Sequence, residues 1–439
     1  MKKIYIINPF IKIFNLNTHY SLYNPFNQKI YILKSKEYKN YVKGIYTSTK
    51  KFSKQDKELY TNDILIDQNS NYVIRFFNWI KHQTKNNNDI GILYLLLCGE
   101  CNLRCKYCFE KNNFDGSKLK KSQISKALIL FKNQKCVSRK RVILYGGEPL
   151  LDKTLLKQTL TEIYKILGTN VDIAIVTNGL LIDKEYISLF KKYKVSIGFS
   201  IDGLTLKSNS NRVDLKGDCK NKAIIAKYKY LLNNYPFSIS CTLTEDNLPE
   251  LEEFVDLLDK RTSGFSYNLL IKRKIVYPKN LAKQLIRIEK KLLNKGITED
   301  RIYNRRILKL INHQIHIKDC AGYGQQIVVT PNGRIGVCHG IDWNNKTYFP
   351  FDIDEIPLTL KLNKEYIWQL WNKRTPFNHP KCLNCTAFTL CGGGCAASTI
   401  KDGYNLYNLD QNNCKIYKAL ICEIIKEISK TAIVNNHEN

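Results

Sequence analysis

The sequence predicts an α/β fold in three parts: a small α+β module over residues 1–85, a parallel sheet or barrel over 86–315 and a cysteine-rich region over 316–439. Three observations predict it. Short apolar strands alternate with helices through the middle of the chain. Strand-like alternation fills its start. Eight of the fifteen cysteines lie beyond residue 316.

In the first part, KIYIIN, YSLYN and KIYILK read as short strands, and KEYKNYV and NYVIRFFNWIKHQ as helices. The middle part repeats strand, turn and helix. Its candidate strands are Ile92–Leu97, Val142–Tyr145, Val171–Val176, Val195–Ser200, Ser238–Thr244 and Phe265–Ile271; its helices include Leu155–Leu167 and Lys184–Tyr193. Repeated βα units imply parallel pairing with right-handed crossovers. The last part has little periodicity before a closing helix near Lys415–Ala432.

Composition narrows the function classes. At 439 residues and 44% hydrophobic content the chain can bury a sizeable core. No apolar run approaches the roughly 18 residues of a membrane span. Pro9 and Lys12 interrupt the apolar start, so no signal peptide is expected and the expected location is cytoplasmic. Lysines producing the net charge of +30 are spread along the whole sequence, which favours a solvated surface over a nucleic-acid track. Thiols in the cytosol stay reduced, so grouped cysteines point to metal rather than disulfides.

The first group is CGECNLRCKYCFE, residues 98–110. One register gives C-x3-C-x2-C: Cys101, Cys105 and Cys108, with Cys98 outside it as a small buried hydrophobe. The same buried role is expected of Cys136, Cys219, Cys241 and Cys422. Three thiolates hold three irons of a [4Fe–4S] cube and leave the fourth open to a small molecule. The loop follows a strand, on the face where βα barrels do chemistry. YGGEP follows the second strand and FSIDG ends the fourth.

Together CNLRCKYC, YGGEP and FSIDG, in this order, resemble the radical S-adenosylmethionine (SAM) superfamily over roughly residues 90–275. The resemblance implies a partial (β/α)6 TIM-like barrel, with a [4Fe–4S] cluster on Cys101, Cys105 and Cys108 and SAM on its open iron. It implies Tyr107 near the adenine. Gly146 and Gly147 would permit close backbone approach and Glu148 would accept hydrogen bonds from the SAM ammonium, with Asn178 beside the ligand. Ser200 would bond the SAM carboxylate and Arg212 would pair with it bidentately. Where relatives often have His-Asp before that arginine, this chain has Ser208-Asn209.

The later cysteines, Cys320, Cys338, Cys382, Cys385, Cys391, Cys395 and Cys414, resemble the SPASM extension of such enzymes, which carries two auxiliary [4Fe–4S] clusters. That likeness implies one cluster on Cys382, Cys385, Cys391 and Cys414. The other takes Cys320, Cys338 and Cys395, with an open iron, water or Gln326 completing it. A β-hairpin around Pro331-Asn332-Gly333 would bring Cys320 and Cys338 together. A zinc ribbon is the competing reading of these spacings.

His339, the residue after Cys338, stands where sulfatase-maturing relatives carry an aspartate, and is a candidate catalytic residue. The expected activity is a peptide maturase: a 5′-deoxyadenosyl radical modifies, and by expectation crosslinks, a ribosomally made precursor peptide. Its leader would bind residues 1–85 by strand addition. The expected partners are that peptide and an electron donor such as flavodoxin or ferredoxin, with no membrane and no nucleic acid. The alternatives are a formylglycine-generating sulfatase maturase and a zinc-ribbon nucleic-acid-binding protein.

Overall fold

The computed structural model describes residues 3–47, 51–84, 88–270, 275–401, 403 and 405–435. The expected boundary at 85/86 and the end of the sixth candidate strand, Ile271, lie outside the described residues. No described helix is long and apolar enough to cross a membrane.

The first part holds two antiparallel three-stranded sheets. Strands β1 (Lys3–Ile7), β5 (Ile45–Thr47) and β6 (Leu65–Asp67) form one, with β1 central; β2 (Lys12–Asn15), β3 (His19–Tyr23) and β4 (Ile30–Lys34) form the other, with β3 central. Helices α1 (Ser35–Val42), α2 (Lys54–Thr61) and α3 (Tyr72–Thr84) complete it. Ser53 caps α2, its hydroxyl accepting from the Asp56 amide while Asp56 accepts from the Ser53 amide. Leu22, Leu33, Leu59 and Leu65 share its small core.

The middle part is a continuous parallel sheet: β7 (Ile92–Leu96), β8 (Lys140–Tyr145), β9 (Val171–Thr177), β10 (Val195–Ser200), β11 (Phe237–Leu243) and β12 (Gly264–Leu269), each strand beside its predecessor. Helices α4 (Lys121–Lys132), α5 (Lys153–Leu167), α6 (Lys184–Tyr193), α7 (Asn221–Asn234), α8 (Leu251–Leu257) and α9 (Pro278–Asn294) follow these strands in turn. The expected six-unit partial barrel is present.

Its two faces differ. Outward-facing Ile173, Ile175, Ile197, Phe199, Phe237, Ile239, Phe265 and Tyr267 are buried under the helices. By strand register, Ala174, Gly198, Ser200, Ser238, Ser240 and Ser266 share the opposite face. They are half-buried. Parallel strands are ordinarily apolar on both faces. This face mixes small and hydroxyl side chains with Tyr94, Ile143 and Val176.

One difference from the sequence reading concerns the hairpin. Strands β13 (Gln326–Val329) and β14 (Arg334–Gly336) pair around Pro331-Asn332-Gly333 as expected. But β13 also lies parallel to β7, Gln326 opposite Ile92, and β15 (Phe351–Asp352) pairs with β14. The cysteine-rich region therefore extends the barrel sheet to nine strands. A three-residue apolar run, residues 327–329, inside a hairpin signature gives no hint of a third neighbour.

The remaining helices are α10 (Leu308–Ile311), α11 (Tyr366–Asn372), α12 (Ala396–Lys401) and α13 (Gln411–Asn435). The ends of the chain meet. Ser21 on β3 bonds Ser429 on α13 at 2.7 Å, and the Thr389 hydroxyl donates to the Pro25 carbonyl at 2.7 Å. Phe26 and Phe76 pack on Phe388, with ring centroids 5.2 and 5.9 Å from it. Phe388→Ala should cost about 3–5 kcal/mol. Hydrogen exchange should rise in β3, β4 and α3 while the barrel strands stay protected; unchanged protection there would show that the aromatic cluster does not hold the first module.

Candidate functional site

The first cysteine group lies in the loop after β7, at the C-terminal edge of the sheet. Two segments fix it. On one side the Gly146 turn receives its backbone: the Gly147 amide donates to the Cys98 carbonyl at 2.9 Å, and the Glu148 amide to the Glu100 carbonyl at 2.8 Å. On the other, the Arg104 amide donates to the Val213 carbonyl at 2.7 Å and the Lys106 amide to the Asn211 carbonyl at 2.9 Å.

The glycines serve this docking. Gly146 has φ +112, and a Cβ on Gly147 would sit 1.8 Å from the Glu100 carbonyl oxygen. Within the chain, the close backbone approach at these glycines is made with the cysteine loop.

Cys101, Cys105 and Cys108 are half-buried. Burial pushes all three thiols up, Cys105 to about 11, with Glu148 adding to the effect at Cys101 and Arg212 opposing it at Cys105. Among the described residues no three His, Cys, Asp or Glu side chains converge at the spacing of a single metal ion. Three thiols in one loop, costly to ionise without a cation, fit a thiolate-held metal group.

Glu148 is buried and takes three donors. The Thr177 hydroxyl (2.6 Å) and the Leu150 amide (3.1 Å) reach Oε1, and the Asn178 amide (2.8 Å) reaches Oε2. Burial still raises its carboxyl to about 7. A cation such as an ammonium at this position would reverse that penalty. The Asn178 side chain donates to Asn102 Oδ1 at 2.8 Å and approaches Cys101 Sγ at 3.8 Å. Ser200 ends β10, half-buried.

Arg212 has a partner within the chain. Its Nε and Nη2 grip Asp202 bidentately, at 2.9 and 2.8 Å. Both donors of the fork expected to meet the SAM carboxylate thus face the aspartate of FSIDG. Tyr107 donates to the same carboxylate at 2.5 Å, and the guanidinium lies 5.6 Å from its ring centroid. Tyr107 thus ties the cysteine loop to the end of β10. Ser208 and Asn209 are buried in the intervening turn, Asn209 donating to the Gly203 carbonyl at 2.6 Å.

The second group separates into two sets. Cys320, Cys338 and Cys395 lie within electrostatic reach of one another, as do Cys382, Cys385, Cys391 and Cys414. The structure brings together the same sets that the SPASM likeness implied. Gln326 is buried, its amide donating to the Val337 carbonyl at 2.8 Å while Oε1 has no partner. Of the cysteines expected to be buried hydrophobes, Cys98 and Cys241 are; Cys136, Cys219 and Cys422 are half-buried. Cys136 and Cys219 each have a carbonyl acceptor near their thiol, at 3.2 and 3.3 Å, which offsets partial exposure.

His339 sits among aromatic rings: Tyr94 stacks on it at 4.6 Å, with Tyr145 at 5.0 Å and Phe109 at 5.6 Å. Burial, helped by Lys401, lowers its ring to about 4, so the imidazole is neutral near pH 7. Two residues escaped sequence reasoning. Glu110 is buried with Oε1 unpartnered, and burial raises its carboxyl to about 8 against the pull of Lys401. Lys401, ending α12, donates to the Phe109 carbonyl at 3.0 Å and lies within electrostatic reach of Cys108, Cys338 and Cys395. The E of CFE was a weak signal for the first; nothing local marked the second.

Two predictions follow from this geometry. Gly147→Ala forces the loop or the turn to shift and should destabilise the chain by about 1–3 kcal/mol, read as a lower Tm. Gly168→Ala, at positive φ unlike Gly147 but with nothing within 4 Å, should cost about 1 kcal/mol. Equal losses would refute the docking role. For Glu148 the folded value, about 7, exceeds the ordinary 4.5, so its contribution is present at low pH and falls as pH rises through that window. Glu148→Gln should therefore gain on the wild type between about pH 5 and pH 7.5, by up to about 3 kcal/mol. Parallel pH–Tm curves would contradict this.

Comparison with known proteins places the matched segment on this site. Residues 95–258 match the family described as the radical SAM superfamily. The radical SAM cyclopropyl synthase TigE of Paramaledivibacter caminithermalis is 24% identical over 380 residues, 77% of this chain and 74% of that protein. A cysteine-type anaerobic sulfatase-maturating enzyme of Clostridium perfringens is 25% identical over 352 residues, 72% of this chain and 91% of that protein. In fold, the chain resembles Streptococcus suis SuiB bound to precursor peptide SuiA, with a TM-score of 0.56 at 18% identity over 93% of this chain and 99% of that one. The segment that matches the radical SAM superfamily begins within β7 and runs past Ser200, taking in the whole docked cysteine loop.

Proposed function

We propose that the chain modifies a ribosomally made peptide bound between the first cysteine loop and the Cys320/Cys338/Cys395 set. One observation carries this reading: the cation of Lys401 reaches Cys108 on one side and Cys338 and Cys395 on the other, with His339, Tyr94 and Phe109 beside it. A substrate seated there faces both sets.

Cys101, Cys105 and Cys108 would hold the [4Fe–4S] cluster whose open iron takes SAM; when bound and reduced, this group supplies one-electron cleavage to a 5′-deoxyadenosyl radical. The chain does the rest. Glu148 offers a buried carboxylate to the SAM ammonium. Ser200 and Asn178 line the same rim, and the Tyr107–Asp202–Arg212 ion pair stiffens it. The aromatic rings exclude water around the peptide carbon. Neutral His339 accepts a hydrogen bond or a proton there. The two later cysteine sets would hold two auxiliary clusters, with the open position of one free for a substrate thiolate and thioether formation. An electron donor of the flavodoxin or ferredoxin kind supplies the electron.

The module over residues 1–85 supports a leader-binding role, since β2 and β4 are edge strands available for strand addition. The fold shared with peptide-bound SuiB extends over 93% of the chain. The second reading, sulfatase maturation, is favoured by the relative from Clostridium perfringens and opposed by histidine at position 339.

Anaerobically reconstituted protein should hold about 12 irons per chain. Given SAM, reductant and small peptides encoded beside its gene, it should release 5′-deoxyadenosine and remove a pair of hydrogens from one peptide. Cys105→Ala should abolish both, and deleting residues 1–85 should slow the peptide reaction alone. Formylglycine on a sulfatase peptide with no other peptide altered would make the second reading correct; zinc in place of iron would sink both.

A further inference from the structure

Behind the two later cysteine sets lies a buried charge cluster that the proposed reaction does not use. An eight-residue π-helix, Asp300–Ile307, opens on the Glu299 cap and presents Arg301, Arg305 and Arg306. Such helices recur at functional sites. Arg306 is wholly buried. Its Nη2 donates to Asp319 Oδ1 at 2.8 Å and to the Cys391 carbonyl at 3.3 Å, and its Nη1 to the Arg301 carbonyl. Its guanidinium stands 3.7 Å over the ring of Tyr417, one turn beyond Cys414. Its Nε–H, buried, has no acceptor among the described residues.

The surrounding charges do not balance. Asp319 is shared by Arg306, by Arg301 at 3.8 Å and by His316 at 3.4 Å, while Arg305 pairs with Asp300. Three guanidiniums face two carboxylates. A buried cation with an idle donor is expensive unless an anion faces it. Cys391 is the nearest candidate, within electrostatic reach of Arg306. A [4Fe–4S] core on four thiolates is an anion, and its potential rises with nearby positive charge and with hydrogen bonds to its sulfurs.

We infer that Arg306 sets the reduction potential of the cluster on Cys382, Cys385, Cys391 and Cys414, raising it by facing that anion with a permanent buried charge and an unused N–H. The inference rests on the auxiliary-cluster reading above. Arg306 touches no reacting atom; it acts through the cluster. The step is the arrival of one electron from an external reductant. No bond forms or breaks, and no proton moves, because a guanidinium keeps its proton at any working pH.

Mediated electrochemical titration of the full reconstituted chain, followed by EPR, tests this beside iron analysis. Arg306→Gln should lower one cluster's reduction equilibrium constant tenfold or more, about 59 mV for one electron, with iron unchanged. Arg306→Lys, which keeps the charge, should recover most of the shift. Asp319→Asn removes a countercharge and should move the same cluster the opposite way; it keeps the inference testable if the glutamine variant does not fold. The cluster on Cys101, Cys105 and Cys108 should not move in any variant. Full iron with unmoved potentials overturns the inference alone. Iron for only one cluster in the wild type overturns the auxiliary-cluster reading and this inference with it.

Discussion

Everything at the barrel mouth depends on one contact: the backbone of Gly147 lying against the carbonyl of Glu100. No side chain fits there, since an added Cβ would stand 1.8 Å from that oxygen. The two flanking hydrogen bonds convert the contact into a register. They place Cys101 three residues beyond a fixed point and hang Glu148 directly under it. Loops are ordinarily the variable part of a barrel. This one is pinned at its start by the turn after β8 and near its middle by the 211–213 segment, so three thiols are held in a fixed relation before any cofactor arrives.

The composition of the sheet follows from the same need. An inner face built from Ala174, Gly198, Ser200, Ser240 and Ser266 forfeits the apolar burial that a closed barrel would gain. At roughly 25 cal/mol per Å2 that loss is large. Outer-face residues such as Ile175, Phe199 and Phe237 supply the core in its place. The sheet is continued by β13 from the cysteine-rich region, so the later cysteines inherit the rigidity of β7 rather than depending on their own short elements.

What could be read in the sequence divides along physical lines. Periodicity and local motifs act within a few residues, and they located β10 and α6 to the residue and the other barrel strands to within two at each described end. Thiol spacing marked the cysteine groups, but the division of the later cysteines into two sets came from the SPASM likeness, since its members cross between distant segments. The Arg212–Asp202 pair was not legible, because the two residues are ten apart across a turn that Ser208 and Asn209 shape. Lys401 and Glu110 come within electrostatic reach from far apart in the chain, and no local pattern encodes such a pairing. Orphaned donors such as Arg306 Nε are visible only once every neighbour is known.

Charge ties these parts together. A chain of formal charge +30 is ill suited to compactness unless anions enter it, since like charges repel. Most lysines are at the surface, where pairs such as Lys290–Glu427 contribute little. The buried cations are placed selectively: Arg212 beside Cys105, Arg306 beside Cys391. Lys401 reaches toward Cys108 and Cys338. Each cysteine set thus has a basic residue close by, and thiols that burial alone would keep protonated find a nearby charge that favours the thiolate. Of these, only Arg306 keeps a buried donor without an acceptor among the described residues, while Arg212 is held by Asp202 and Lys401 stands at the surface.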